Sequence, residues 1–479
     1  MHRLMTSVIS VAAVVFTAGT GPAAAAPAVP DVGPAGTALM HGDLASTDST
    51  PHPGPGPGAR VAAWSAPGGV CSATFLTSQG VPVSLCTAFV GLNPLTVVAP
   101  TVVVFDPLSA QPLASLQLAK GGLLGGVYGY LDSADRVVVA DGSGAIVKVA
   151  HRREADGAVR LFVDERIDLA ARIPAGDSVT GVAPDHRGRI WFATTGGVIG
   201  TVEADGRIGD TRLPDGEQLT NGLSIHPGGA SVLTSRALYE MRADDSGVPQ
   251  IVWRRAYDAA TTRKPGQLAA GSGTTPTYFG PGGDAWVAIV DDAEQPHLIV
   301  HRTTDGSVLC RTPAFVTSGQ GTENSPMAWG DSLIIPSTYG FAYPPNATDG
   351  PSDPPNAVFA GGMTRIDVSE TGCTRVWESD DRMATLPKLS RADGAIHALT
   401  YGPLPARGGV QQVGPVYYSA VDVETGQRRA HEQVGFAPVD EPLQLTGTIG
   451  PDGSFWQGTF GRMLKIVPPH TASAPVSTQ

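Results

Sequence analysis

Charged residues are scarce in this chain. Asp, Glu, Lys and Arg make up 16% of its 479 residues, and acids outnumber bases by 44 to 32. A nucleic-acid partner calls for a basic face, so this balance excludes DNA or RNA as the expected partner. There are only four cysteines, and none forms a C-x-x-C pair. That removes a thiol redox motif and a zinc ribbon. No G-x-S-x-G phrase occurs, so the nucleophile elbow of a serine hydrolase is missing. Gly271-Ser-Gly-Thr-Thr275 is glycine-rich but lacks the lysine of a phosphate loop. After the first ~25 residues no apolar run reaches ~18 residues, so no membrane span is expected.

Glycine and proline, by contrast, are abundant, at 60 and 41 residues. Such richness suits many short strands joined by turns. One phrase recurs, in which an apolar strand runs into an Asp/Gly turn and a second apolar strand follows. It reads GVYGYLDSADRVVVA from Gly126 to Ala140 and VTGVAPDHRGRIWFA from Val179 to Ala193. Looser copies start near Thr220, Thr275, Asn324, Leu386 and Leu443. A hairpin repeat every ~40–60 residues predicts an all-β fold, a β-propeller. The seven inner hairpins give about seven blades. Eight would follow if Cys71 to Val98 forms an inner hairpin of its own, and six if one copy is decoration. The strands at Thr101 to Leu118 can complete the blade begun by the C-terminal hairpin at Leu443 to Val467, so that both chain ends close one sheet. The proline-rich insert from Ala342 to Val358 is expected as a long surface loop.

The flanks read differently. Residues 1–26 resemble a secretory signal: a basic start at His2 and Arg3, a short apolar run, and Ala24-Ala25-Ala26 before Pro27. No cysteine sits near that cut, so a lipid anchor is not expected and the chain is read as secreted. Residues 27–59, with Pro-His-Pro-Gly-Pro-Gly-Pro-Gly at Pro51 to Gly58, are expected to be a disordered linker. The propeller occupies 60–468, and 469–479 is expected to be a disordered tail. Four cysteines in an exported chain suggest disulfides, with three pairings open. Cys71–Cys86 and Cys310–Cys373 are favoured. The first two flank one short hairpin, and the other two start outer strands of consecutive repeats, where neighbouring blades touch.

Ligand sites in a propeller gather where the residues preceding each inner strand converge on the axis. Here those positions hold Gly125-Gly126, Asp177, Asn221, Thr275, Glu323 with Asn324, Lys388, and Glu441 with Gln444. Asn221, Glu323 and Asn324, with Asp177 and Glu441 nearby, offer oxygen ligands of the kind Ca²⁺ takes. Lys388 could pair with one of the acids or bind an anion. The segment LTNGLSIHPGG, Leu219 to Gly229, resembles the Asn-Gly-Leu phrase of the gluconolactonase/senescence-marker and strictosidine-synthase-like propellers. Val179 to Ala193 resembles the blade phrase of NHL-type and gluconolactonase-type repeats. The resemblance implies a divalent-metal site at Asn221 and a Ca²⁺-dependent lactonase or related ester hydrolase. The other reading is an exported binding or scaffold module of the cell envelope or extracellular space. Its channel mouth would hold a small molecule, glycan or protein.

Overall fold

The computed structural model describes residues 31–66, 69–90, 96–120, 128–316, 321–402 and 413–469. The leader expected over 1–26, Gly125-Gly126 and nearly all of the expected tail lie outside them. Among the described residues the strands assemble into eight sheets, each built on four antiparallel strands. These are blade 1 (70–117), blade 2 (130–168), blade 3 (179–212), blade 4 (224–256), blade 5 (277–313), blade 6 (327–379), blade 7 (388–437) and blade 8 (448–467 with 60–64). First strands contact one another from blade 3 through blade 7 and between blades 8 and 1, which places them around a common axis.

Eight blades replace the expected seven. Val70–Leu76 and Pro82–Val90 pair as an inner hairpin of their own, with Cys71 directly opposite Cys86. The strands at Thr101 to Leu118 therefore complete blade 1 and not the C-terminal blade. In blade 8 the outer place is taken by Arg60–Trp64, which runs antiparallel to Met463–Val467. Both favoured disulfides are formed, Cys71–Cys86 within blade 1 and Cys310–Cys373 between the outer strands of blades 5 and 6.

The repeated phrase has a local physical cause. At the turn of blade 3 one carboxylate oxygen of Asp185 accepts the backbone N–H groups of Arg187 (2.8 Å) and Arg189 (3.1 Å). Gly188 sits there at φ +82°, a conformation that favours glycine. Asp132 repeats the arrangement at the inner turn of blade 2, and Asp244 makes the same bonds at the outer turn of blade 4. An Asp side chain that closes its own turn explains why the phrase recurs. The apolar strands then pack blade on blade: Trp191 and Ile199 of blade 3 share one core with Ile225, Val232 and Tyr239 of blade 4.

The largest departure from expectation lies in residues 27–59. From Asp31 onward this stretch is described and much of it is buried. Thr37, Ala38, Ser46, Thr47, Asp48, Ser49 and Thr50 are each at most 4% exposed. It runs around one end of the channel, with its carbonyls facing the inner strands. Thr37, Ala38, Leu44, Ala45, Thr47 and Asp48 accept the N–H groups of Leu76, Leu131, Ile225, Tyr278, Ala328 and Leu389 in turn. Those six donors belong to blades 1, 2, 4, 5, 6 and 7. Ser49–Thr50 adds a short parallel strand to Lys388–Ser390. Innermost strands present an open row of N–H groups, and this segment satisfies it. Its low apolar periodicity reads as a linker because its backbone does the bonding.

Candidate ligand site in the central channel

With one end occupied by residues 33–50, the channel becomes a blind cavity of ≈ 180 Å³. Met40 and His41 form its floor. Val70, Leu85, Leu268, Leu386, Leu443 and Leu445 supply apolar wall. The proline-rich insert does more than cover surface. Tyr343, Pro344 and Ala347 line the same cavity, and the insert is anchored by Phe341 packed edge-on against Phe359, 5.7 Å between centroids.

Polar groups from several blades converge on this apolar space. Asn221 lines it and donates from Nδ2 to the carbonyl of Ser272 (3.3 Å). Its Oδ1 faces the Tyr128 hydroxyl at 3.4 Å. The glycine of Asn221-Gly222-Leu223 makes room for that tyrosine: a Cβ on Gly222 would lie 2.8 Å from the Tyr128 ring. Asn324 donates to Gln444 Oε1 (3.0 Å), and Gln444 in turn donates to the carbonyl of Met383 (2.7 Å). Glu323 Oε2 accepts the N–H of Leu268 (3.0 Å). Burial in these walls pushes the Glu323 carboxyl up to about 8, and the nearby Asp292 adds to the rise, while the Leu268 N–H and Arg263 oppose it. Glu323 is therefore a neutral acid over much of the physiological range, able to donate as well as accept.

The remaining residues expected at this mouth lie elsewhere. Asp177 Oδ1 accepts the N–H groups of Ser178 and Gly196, both at 2.8 Å, and the residue does not line the cavity. Thr275 is buried and donates its N–H to Ser325 Oγ (2.9 Å). Glu441 is buried under Tyr401, whose hydroxyl donates to Oε1, and burial pushes its carboxyl up to about 7. Lys388 is 2% exposed. Its ammonium donates to the carbonyl of Met40 (2.8 Å) and meets Asp48 Oδ1 at 3.3 Å.

Asp48 and His41 are the site residues that sequence reasoning missed. Asp48 is fully buried, and both its oxygens lie 3.0 Å from His41 Nδ1. One carboxylate thus joins a buried lysine of blade 7 to a buried histidine of the N-terminal segment. The His41 ring stacks on Tyr128, with centroids 6.0 Å apart and planes 20° apart. The signal available in the sequence was the cluster His41, Asp43 and Asp48 inside a stretch otherwise poor in charge.

Among the described residues no group of three or more His, Cys, Asp or Glu side chains is placed to hold a metal ion. Asn221, Glu323 and Asn324 do line one cavity, and Glu323 is the one carboxylate among its described lining residues.

No protein-family model matches this chain. An uncharacterized protein of Archaeoglobus fulgidus is 29% identical over 134 residues. The match covers 26% of each chain, so this chain spans about a quarter of the length of the curated relative it matches. Among solved structures, the quinohemoprotein alcohol dehydrogenase from Comamonas testosteroni aligns over 94% of this chain and 82% of its own. It is 11% identical, with a TM-score of 0.56. A europium-containing methanol dehydrogenase covers 90% and 98%, at 10% identity and a TM-score of 0.53. Sqt1 of Chaetomium thermophilum covers 86% and 99%, at 11% identity and 0.52. The chain shares a β-propeller fold with its structural neighbours. At these identities the likeness speaks for the fold alone.

Proposed function

We propose that this protein is an exported binding module that takes a small, largely apolar molecule into the blind end of its channel. The observation that carries this reading is the cavity itself: apolar walls, a closed floor at Met40 and His41, and few convergent polar groups. Two disulfides fit an extracellular protein. No helix among the described residues is long and apolar enough to cross a membrane. The test uses 2-naphthol, a compact apolar body with one hydroxyl, in isothermal titration calorimetry. The parent protein is expected to bind it, and Leu445→Trp, which fills the cavity from blade 8, to bind it at least roughly tenfold more weakly. Absence of heat from the parent protein, or equal binding by the tryptophan variant, overturns the proposal.

The second reading is a Ca²⁺-dependent lactonase or esterase-like hydrolase. It is favoured by the shared position of Asn221, Glu323 and Asn324 on that cavity and by the Asn221-Gly222-Leu223 phrase. A hard cation there would have to draw the proton off Glu323 before it gained its one carboxylate ligand. Calcium titrated into the protein at pH 8 should then give heat that Glu323→Gln abolishes. A flat titration at that pH removes this reading.

A further inference from the structure

We infer that the molecule bound in the channel carries a neutral acceptor oxygen, as an apolar ketone does, and that the hydroxyl of Tyr343 donates to it. The inference rests on the channel-binding reading above and names the ligand class.

The proline-rich insert brings Tyr343 to the cavity, which this residue lines. Its ring stands edge-on to Phe341, with centroids 4.7 Å apart and planes 77° apart, and Phe341 is itself packed against Phe359. Aromatic packing thus holds the ring in place and leaves its hydroxyl unused. No hydrogen bond among the described residues engages that hydroxyl, and it is not one of the sealed polar atoms of the interior, so it keeps open surface. Its neighbours show where that surface faces. Burial pushes the phenol well above its ordinary value of 10, so the oxygen lies within the protein and keeps its proton at physiological pH. Glu323 and Tyr128 add to the rise, which places both near it. Those two residues line the same cavity. The space onto which the Tyr343 hydroxyl opens is therefore the channel cavity.

The other polar groups of the lining decide what this hydroxyl meets. The amides are each tied to a protein acceptor: Asn221 to the carbonyl of Ser272, Asn324 to Gln444, and Gln444 to the carbonyl of Met383. The Tyr128 hydroxyl already faces Asn221 Oδ1 at 3.4 Å. Tyr343 is left with an O–H to give. A phenol's lone pairs are drawn into its ring, so it donates a hydrogen bond more readily than it accepts one. An apolar body with one acceptor oxygen meets both this donor and the leucine walls. A carboxylate or phosphate would shed its hydration there beside Glu323, with no lysine or arginine among the described lining residues to receive it.

The experiment compares 2-acetonaphthone with 2-isopropenylnaphthalene, which has the same outline but a methylene in place of the carbonyl oxygen. Both are titrated by calorimetry into the parent protein, Tyr343→Phe and Tyr128→Phe. Tyr343→Phe keeps the ring against Phe341 and loses only the hydroxyl, and circular dichroism and melting check its fold. The parent protein is expected to bind the ketone at least roughly tenfold more tightly than the alkene. Tyr343→Phe should bind both alike, and Tyr128→Phe should keep the preference. Equal binding of the two compounds by the parent protein, a measurement that needs no variant, overturns the inference and leaves the channel-binding reading standing. A preference that survives in Tyr343→Phe, or that follows Tyr128 instead, overturns it as well. If neither compound binds the parent protein, the channel-binding reading itself fails and the inference falls with it.

Discussion

Asp48→Ala is expected to lower the free energy of unfolding by roughly 3–5 kcal/mol, the cost typical of breaking a buried ion pair from one side. The carboxylate is fully buried and Lys388 is 2% exposed. Burial already lowers the lysine's proton affinity, and Asp48 is the largest influence opposing that. Without it, the Lys388 ammonium keeps the carbonyl of Met40 as a hydrogen-bond partner and Asp43 as a weaker nearby acid, and His41 loses the partner of Nδ1. The effect reaches beyond the pair, because Asp48 sits in the segment whose carbonyls cap the inner strands. Residues 31–59 should therefore become sensitive to limited proteolysis in the variant. Lys388→Met alone should also destabilise, while Asp48→Leu combined with Lys388→Met should recover much of the loss, since an apolar pair leaves no buried charge. Urea unfolding of the four proteins checks this. An Asp48→Ala variant within about 1 kcal/mol of the parent, or single effects that simply add, would sink the claim.

The second large effect is a fall in stability as pH rises from about 5 to 8. Glu323 keeps its proton in the folded protein up to about 8, whereas the unfolded chain releases it near the ordinary value of 4.5. Between those values the folded state binds more protons than the unfolded state, so stability decreases with rising pH. Glu441, pushed up to about 7, acts in the same direction. One unit is worth about 1.4 kcal/mol, and Glu323 is only part-buried, facing the cavity. Its share is therefore roughly 2–4 kcal/mol across the interval. Glu323→Gln retains an acceptor for the Leu268 N–H and has nothing to ionise. Denaturation measured at pH 5, 6, 7 and 8 should show a slope in the parent protein that is shallower by that amount in the variant. Parallel slopes would show that Glu323 is ionised in the fold. Gly273 belongs to the same arrangement, since a Cβ there would come within 2.3 Å of Glu323 Oε2.

Much of the architecture is legible in the residues. The Asp/Gly turns are local, each closed by its own aspartate, as at Asp185, and so they leave a mark that repeats. The Cys310–Cys373 pair is legible too, because positions just after turns fall at predictable places on outer strands, and Cys71–Cys86 because the two flank one short hairpin. Blade 1 escaped the count because Val70–Leu76 and Pro82–Val90 join through a turn without the repeated phrase. Of the residues expected at the channel mouth, Asn221, Glu323 and Asn324 share the cavity, while Asp177 and Glu441 are turned to local partners. Position before a strand fixes nearness to the axis, but the rotamer and the neighbouring loop decide where the side chain goes.

The sequence by itself determined the fold class and the repeat and favoured the cysteine pairing that forms, all consequences of local turns and strand alternation. Only the tertiary structure decided what stops the channel. The floor is made by a segment that bonds through backbone carbonyls, which every residue type carries. Lys388 finds its counter-charge 340 positions away in Asp48. Contacts of that kind leave no period and no motif, and they turned an apparent linker into the base of the candidate site.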